Sequence, residues 1–339
     1  MNDQSQIGKA RTRASRRPGK GCLLWLGASL ASLLGLMLVG YIYEPVAEAA
    51  DAKAYPPPGE LVDVGGYRLH INCSGTGSPT VMIEAGLGDW STSWGFVQSK
   101  VAKTTRVCTY DRAGVGWSES GPLPRDAAQF AKELHTLLQN ADIPGPYVMV
   151  GHSLGGLGVR LFVHDYSSEV SGVVLIESMN PKQIAQLPTG ERSQPNPQSR
   201  YYSVLTGLAR FGVVRMLAGP VMRMLSPSII PDEKAYYSRF VRPQSMQAAR
   251  DESLGLAASE EEAATVKTFG DLPLIVLTGR LHTDPPNWQT WQTELLQLSS
   301  NNQHLFAEIG GHTVQIDEPD AASAAIIQMV QQVRQTAKK

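Results

Sequence analysis

YVMVGHSLGGLGVRLFVHDY, residues Tyr147 to Tyr166, sets a short apolar run against a glycine-flanked serine and then a helical pattern. The run Tyr147–Val150 reads as a buried strand and Leu154–Tyr166 as a helix, so Gly151-His152-Ser153-Leu154-Gly155 falls on the turn between them. A G-x-S-x-G in that strand–turn–helix setting lifts the serine oxygen above the sheet, and the glycines are needed because side chains would clash in so sharp a turn. Without that setting the motif would mean little, since glycine and serine are common.

A serine hydroxyl attacks poorly unless a base takes its proton. The segment HLFAEIGGHTVQIDEP places His312 on a Gly310-Gly311 loop just past the apolar run His304–Ile309. A glycine-rich loop at a strand end suits an exposed base, whereas an ordinary surface histidine would need no such setting. His152, beside the serine, points away from the turn and reads as structural. Two carboxylates could orient His312. Glu177 ends the apolar strand of VVLIESMNP, and Asp284 lies in GRLHTDPP after the strand Pro273–Thr278, where His282 stands at the place an aspartate would usually take. Glu177 is the stronger candidate because a strand terminus fixes a carboxylate more rigidly than a proline-rich loop; Asp284 could equally be a turn residue before Pro285. For the negative charge that develops on a carbonyl oxygen, the backbone N–H of Leu154 is one donor, and Leu87 in the Ala85-Gly86-Leu87-Gly88 loop is the expected second.

Outward from this centre, apolar runs alternate with helical stretches. Glu60–Val64 and Tyr67–Cys73 flank Gly65-Gly66 as a hairpin, and Thr80–Glu84 and Arg106–Tyr110 read as strands. Asp126–Gln139 is helical, with Phe130, Leu134, Leu137 and Leu138 on one face, and Ala321–Thr336 closes the chain. Strands separated by helices imply a mainly parallel sheet covered on both faces, an α/β fold. Residues 180–268 break the alternation. They are too long for a loop and read as a helical cap over the strand ends, between core segments 60–179 and 269–339. Within the cap, the run Val204–Leu225 is apolar but interrupted by Arg210, Arg215 and Arg223; it reads first as helices packing on the core, and alternatively as a surface that touches lipid.

The 339-residue chain has a net charge of −1, which conceals an asymmetry. Lys9, Arg11, Arg13, Arg16, Arg17 and Lys20 crowd the first twenty residues against the single Asp3. Removing these from 30 basic and 31 acidic residues leaves 24 and 30, so the remainder has no attraction for nucleic acid. Residues 1–21 thus form a basic tail. Cys22–Tyr43 follows as 22 residues without a charge, enough for a transmembrane helix, with Trp25, Tyr41 and Tyr43 suited to the interfaces. The charge bias places the N-terminus in the cytoplasm and the rest beyond the membrane, as a single-pass protein. A cleaved signal is the competing reading, through Ala47-Glu48-Ala49, but the apolar run is too long for one. Residues 44–59, ending in a triple proline, read as an extended linker.

Together these residues resemble the α/β-hydrolase superfamily from about Glu60 onward. The EAGLG loop (Glu84–Gly88), Trp94 beyond it and Asp111-Arg112-Ala113-Gly114-Val115-Gly116-Trp117-Ser118 add to the likeness. The resemblance implies an eight-stranded, mostly parallel sheet with a helical cap, and hydrolysis of an ester, amide or thioester through an acyl-enzyme on Ser153. It implies no cofactor and no metal, and a small-molecule ester or lipid-like substrate, carboxylesterase being the leading activity. Relatives with an aspartate nucleophile, the haloalkane dehalogenases and epoxide hydrolases, are disfavoured by serine at 153. Some dehalogenases place their acid after the sixth strand, which favours Glu177. In the family's sheet order the second and fourth strands are neighbours, so Cys73 and Cys108 become credible as a disulfide in an exported domain. Aminopeptidases and C–C bond hydrolases would use the same residues. From another class, a hydrolase-like binding domain is the alternative, though such domains often lose a member of the Ser–His pair.

Overall fold

The structure is a computed structural model that describes residues 20–183, 197–218, 232–283 and 285–337. Eight strands form one sheet: β1 (Glu60–Asp63), β2 (Arg68–Ser74), β3 (Thr80–Glu84), β4 (Val107–Tyr110), β5 (Tyr147–His152), β6 (Val170–Ile176), β7 (Leu274–Gly279) and β8 (Asn302–Ala307). Their order is β1-β2-β4-β3-β5-β6-β7-β8. Only β2 runs against its neighbours; from β4 to β8 all pairs are parallel.

Parallel strands need crossovers, and the helices that supply them cover both faces. On β5, Tyr147 and Met149 enter one apolar layer while Val148 and Val150 enter the other, and β6 divides Val173 and Leu175 from Val174 and Ile176 in the same way. The central strands are therefore apolar throughout rather than alternating. Helices α3 (Ala127–Asn140) and α4 (Gly155–Asp165) pack on the first layer. Asp126 caps α3 by accepting from the Gln129 amide at 3.0 Å. The second layer is closed by α2 (Gly95–Val101) and the C-terminal helix Pro319–Thr336. In the hairpin between β1 and β2, Asp63 accepts from the amides of Gly65 and Gly66, whose φ values of 116° and 100° require glycine. Cys73 lies directly opposite Cys108 on β2 and β4, and the two form a disulfide.

The region between β6 and β7 is helical where it is described: α5 (Pro197–Arg210), α6 (Glu233–Phe240) and α7 (Pro243–Thr265). Helix α7 is shared with the core. Its Leu256 and Ala263 join the same apolar layer as α3 and α4, and Gly255 lets α7 approach the Arg125 carbonyl, where a Cβ would stand 2.1 Å from the oxygen. The cap at 180–268 therefore does not end at a clean boundary.

The linker at 44–59 needs correction. Helix α1 runs from Lys20 through Pro45 to Ala54, so only the proline-rich end stays extended. Alanine, glutamate and lysine between 46 and 54 favour the helix. Tertiary contacts hold it as well: Glu44, 2% exposed, receives the Arg215 guanidinium at 2.8 Å, and Arg215 also pairs with Asp51. Over Leu24–Ala54, α1 is long and apolar enough to cross a membrane.

Candidate active site

Ser153 stands at the top of β5 with φ of 51°, a left-handed conformation rare for a residue with a side chain. The flanking glycines make this turn possible. A Cβ on Gly151 would lie 2.7 Å from the Gly156 Cα, and one on Gly155 would lie 2.5 Å from the carbonyl oxygens of both Glu84 and Ala85. The chain thus reverses where β3 and the start of α4 crowd it, and the serine oxygen is left pointing off the sheet edge. It meets His312 Nε2 at 3.0 Å.

His312 lies on the loop after β8, with its side chain 35% exposed. Its Nδ1 is 3.2 Å from Glu177 Oε2. Glu177 ends β6, is fully buried, and also has positive φ, 47°. This backbone kink turns its carboxylate across β7, where Oε1 accepts from the Gly279 amide at 2.7 Å and Oε2 accepts from His282 Nδ1. Burial pushes the Glu177 carboxyl up, but the hydrogen bonds from His282, His312 and Gly279 outweigh it and hold the group below the usual carboxylate range. With Glu177 as the acceptor, His312 Nδ1 carries the proton, which leaves the Nε2 lone pair facing Ser153. Asp284, the other carboxylate weighed from the sequence, lies outside the described residues.

Three supporting groups surround these residues; of them only His152 was given a role from the sequence, a structural one. His282 shares Oε2 of Glu177 with His312; the two rings lie 4.6 Å apart, with Trp288 against both. His152 is buried and accounts for one backbone atom of His312: its Nε2 donates to the His312 carbonyl at 2.8 Å. Burial pushes the His152 imidazole down to about 3, so it remains neutral and keeps that donor. The third is Glu252 of α7. Arg112, 1% exposed, donates to Glu252 at 2.7 Å, to Glu84 at 3.0 Å, and to the carbonyls of Ala85 and Gly86. The Gly88 amide in turn donates to Glu252 at 2.7 Å. Both sides of Leu87 are thereby fixed by buried charges. Gly86 packs beside Ser153, since a Cβ there would lie 3.3 Å from the serine Cβ. Neither the Leu87 nor the Leu154 amide donates to an acceptor among the described residues.

Among the described residues, Glu177, His282 and His312 are also the group whose ligand atoms, within 4.8 Å of one another, could hold a metal ion. Those atoms already satisfy one another by hydrogen bonding, with both imidazole Nδ1 atoms on the same carboxylate oxygen.

A family described as the alpha/beta hydrolase fold matches residues 79–319, which includes β3 to β8, Ser153, Glu177 and His312. The chain belongs to the α/β-hydrolase family. Among its relatives is a protein of Hormonema carpetanum named "Probable transporter efuK", 25% identical over 80% of this chain; the match spans 42% of that longer protein. A thermophilic esterase from Thermogutta terrifontis superposes with a TM-score of 0.61 at 18% identity, covering 81% of this chain and 98% of the esterase. The epoxide hydrolase CorEH does so with a TM-score of 0.59 at 20% identity, covering 80% and 97%. At such identities these two solved structures share the fold, and the α/β-hydrolase membership carries only hydrolytic chemistry in general.

Proposed function

We propose that this α/β hydrolase is a serine esterase in which Ser153, His312 and Glu177 form the triad. The observation that carries the reading is the hydrogen-bonded series from Ser153 Oγ to His312 Nε2 at 3.0 Å and from His312 Nδ1 to the buried Glu177. Ser153 attacks the ester carbonyl while His312 Nε2 takes its proton. The tetrahedral oxygen is met by the amides of Leu154 and Leu87, donors that cost no reorganisation because Arg112 and Glu252 already hold their loop. Collapse expels the alcohol, which takes the proton from His312. Water then repeats the sequence on the acyl-serine and releases the acid. Glu177 stabilises the imidazolium in both halves. Ester hydrolysis fits better than epoxide opening, because the latter proceeds through a carboxylate nucleophile and position 153 is serine.

The same reading makes α1 a single membrane anchor, with the basic residues before it in the cytoplasm and the hydrolase beyond the membrane. No residue of the apolar window of α1 is buried inside the protein, as expected for a helix surrounded by lipid.

Hydrolysis of p-nitrophenyl esters from acetate to laurate by the full chain in detergent tests the proposal. Turnover of at least one member that disappears in Ser153→Ala supports it. A folded wild-type protein that hydrolyses none of the series, or a variant as active as wild type, refutes it.

A further inference from the structure

The cap carries an apolar surface that no part of the described protein covers. On α5, Tyr201, Val204 and Leu208 recur at helical spacing and are 59%, 62% and 40% exposed. Beyond the turn at Phe211-Gly212, Met216 and Leu217 are 74% and 53% exposed. Large apolar side chains gathered this way on a soluble enzyme usually mark a binding surface.

The position of this surface relative to α1 identifies what binds there. Phe211 sits directly on Gly40: a Cβ at Gly40 would lie 2.1 Å from the Phe211 carbonyl oxygen. The Tyr41 and Phe211 rings are 6.3 Å apart. Gly40 and Tyr41 lie inside the uncharged run Cys22–Tyr43, so the cap turn sits roughly 5 Å inside the end of that run at about 1.5 Å per residue. The ion pairs lie on the other side of this level. Glu44 and Asp51 hold Arg215, and Arg239 donates to the Tyr55 carbonyl at 2.8 Å. Charges and apolar groups thus separate along α1 in the order that a membrane interface imposes. Helix α5 contains no acidic residue, and its exposed Arg200 and Arg210 suit phosphate headgroups.

The same helix reaches the site. Tyr202, next to exposed Tyr201, places its hydroxyl 3.7 Å from where a Cβ of Gly88 would be, at the loop that presents the Leu87 amide. One helix diameter, about 10 Å, therefore separates the apolar surface from the loop beside Ser153.

We infer that Tyr201, Val204, Leu208, Met216 and Leu217 dock the cap into the leaflet from which α1 emerges, and that the enzyme takes its ester substrates from the bilayer. This rests on α1 spanning the membrane and on the esterase reading above. Both dependencies are separable by experiment. In a Cys22→Ser background, with Cys73 and Cys108 tied in their disulfide, single cysteines at Leu34, Leu217 and Lys132 are labelled with an environment-sensitive fluorophore. The full chain is then reconstituted in phosphatidylcholine vesicles carrying spin-labelled lipid. Quenching at 34 and 217 but not at 132 is expected. Quenching at 34 alone leaves the anchor standing and overturns the docking. No quenching at 34 overturns the anchor and the docking with it. A label at 217 shielded from both lipid and aqueous iodide points to a protein partner or second copy, and also overturns the docking.

The activity arm uses Leu208→Glu/Met216→Glu/Leu217→Glu. It should lose about tenfold or more in kcat/KM on a long-chain ester dissolved in vesicles while keeping its rate on water-soluble p-nitrophenyl acetate. Equal rates on the vesicle ester overturn the supply of substrate from the bilayer. Failure of the wild type on both esters is a failure of the esterase reading and appears independently of the quenching.

Discussion

Ser153 and Glu177 both occupy left-handed backbone, and neither is a glycine. Such positions cost about 1–3 kcal/mol each and persist where surrounding structure over-determines them. Here the determining contacts are the Met179 amide on the Ser153 carbonyl and the Glu177 amide on the Leu277 carbonyl. Ser153 was legible in the sequence because its glycines are local, and His312 because a glycine loop after an apolar run is local too. Glu177 could be narrowed only to one of two carboxylates, since what orients a histidine is decided across the sheet. Its role predicts that Glu177→Gln, whose amide can accept at one end only and so cannot serve both the histidines and the Gly279 amide, lowers kcat by about 10³–10⁴ with KM little changed and the fold intact by circular dichroism. A loss no greater than that of Asp284→Asn would remove Glu177 from the triad. His152 makes a different prediction. Its folded form stays neutral down to about pH 3, whereas the unfolded chain protonates it near the usual 6.5. The unfolded state therefore binds the extra proton, and stability falls as pH drops from 6.5 toward 3. His152→Gln, which retains a donor toward the His312 carbonyl, should flatten the decline of Tm between pH 6.5 and 4; parallel declines would contradict this.

At the scale of elements, the strands were legible to within a few residues because central strands of a parallel sheet are unbroken apolar runs. The short helices α2 and Trp288–Leu295 were not, since neither is long enough to show a period against its surroundings. The extended linker failed for another reason: what keeps residues 44–54 helical is the pairing of Glu44 and Asp51 with Arg215, about 165 positions away in the chain. Glu252 shows the same limit. Nothing in Arg250-Asp251-Glu252-Ser253-Leu254-Gly255 marks Glu252, among the acids of α7, as the buried partner of Arg112. Glu252→Gln keeps an acceptor for the Gly88 amide but leaves Arg112 with less compensating charge. It should destabilise the protein by about 3 kcal/mol in urea unfolding and lower kcat about tenfold through the displaced Leu87 amide. An unchanged kcat would show that the loop does not depend on α7.

For the whole molecule, α1, cap and core are joined in series: α1 holds the cap through Arg215, and α7 holds the core layer and the loop beside Ser153. Arg215→Met should leave Glu44 buried without its partner and destabilise the cap first. Amide exchange is expected to rise in α5 and α6 before β5 and β6, and uniform exchange would contradict that order. The central claim, that an activated serine sits at residue 153, is most directly tested on the intact full-length protein with a fluorophosphonate, followed by mass measurement and peptide mapping. One adduct per chain on the peptide bearing Ser153, absent in Ser153→Ala and strongly slowed in His312→Ala, is the predicted result. A folded wild-type chain that gains no mass, or gains it at another residue, would contradict it.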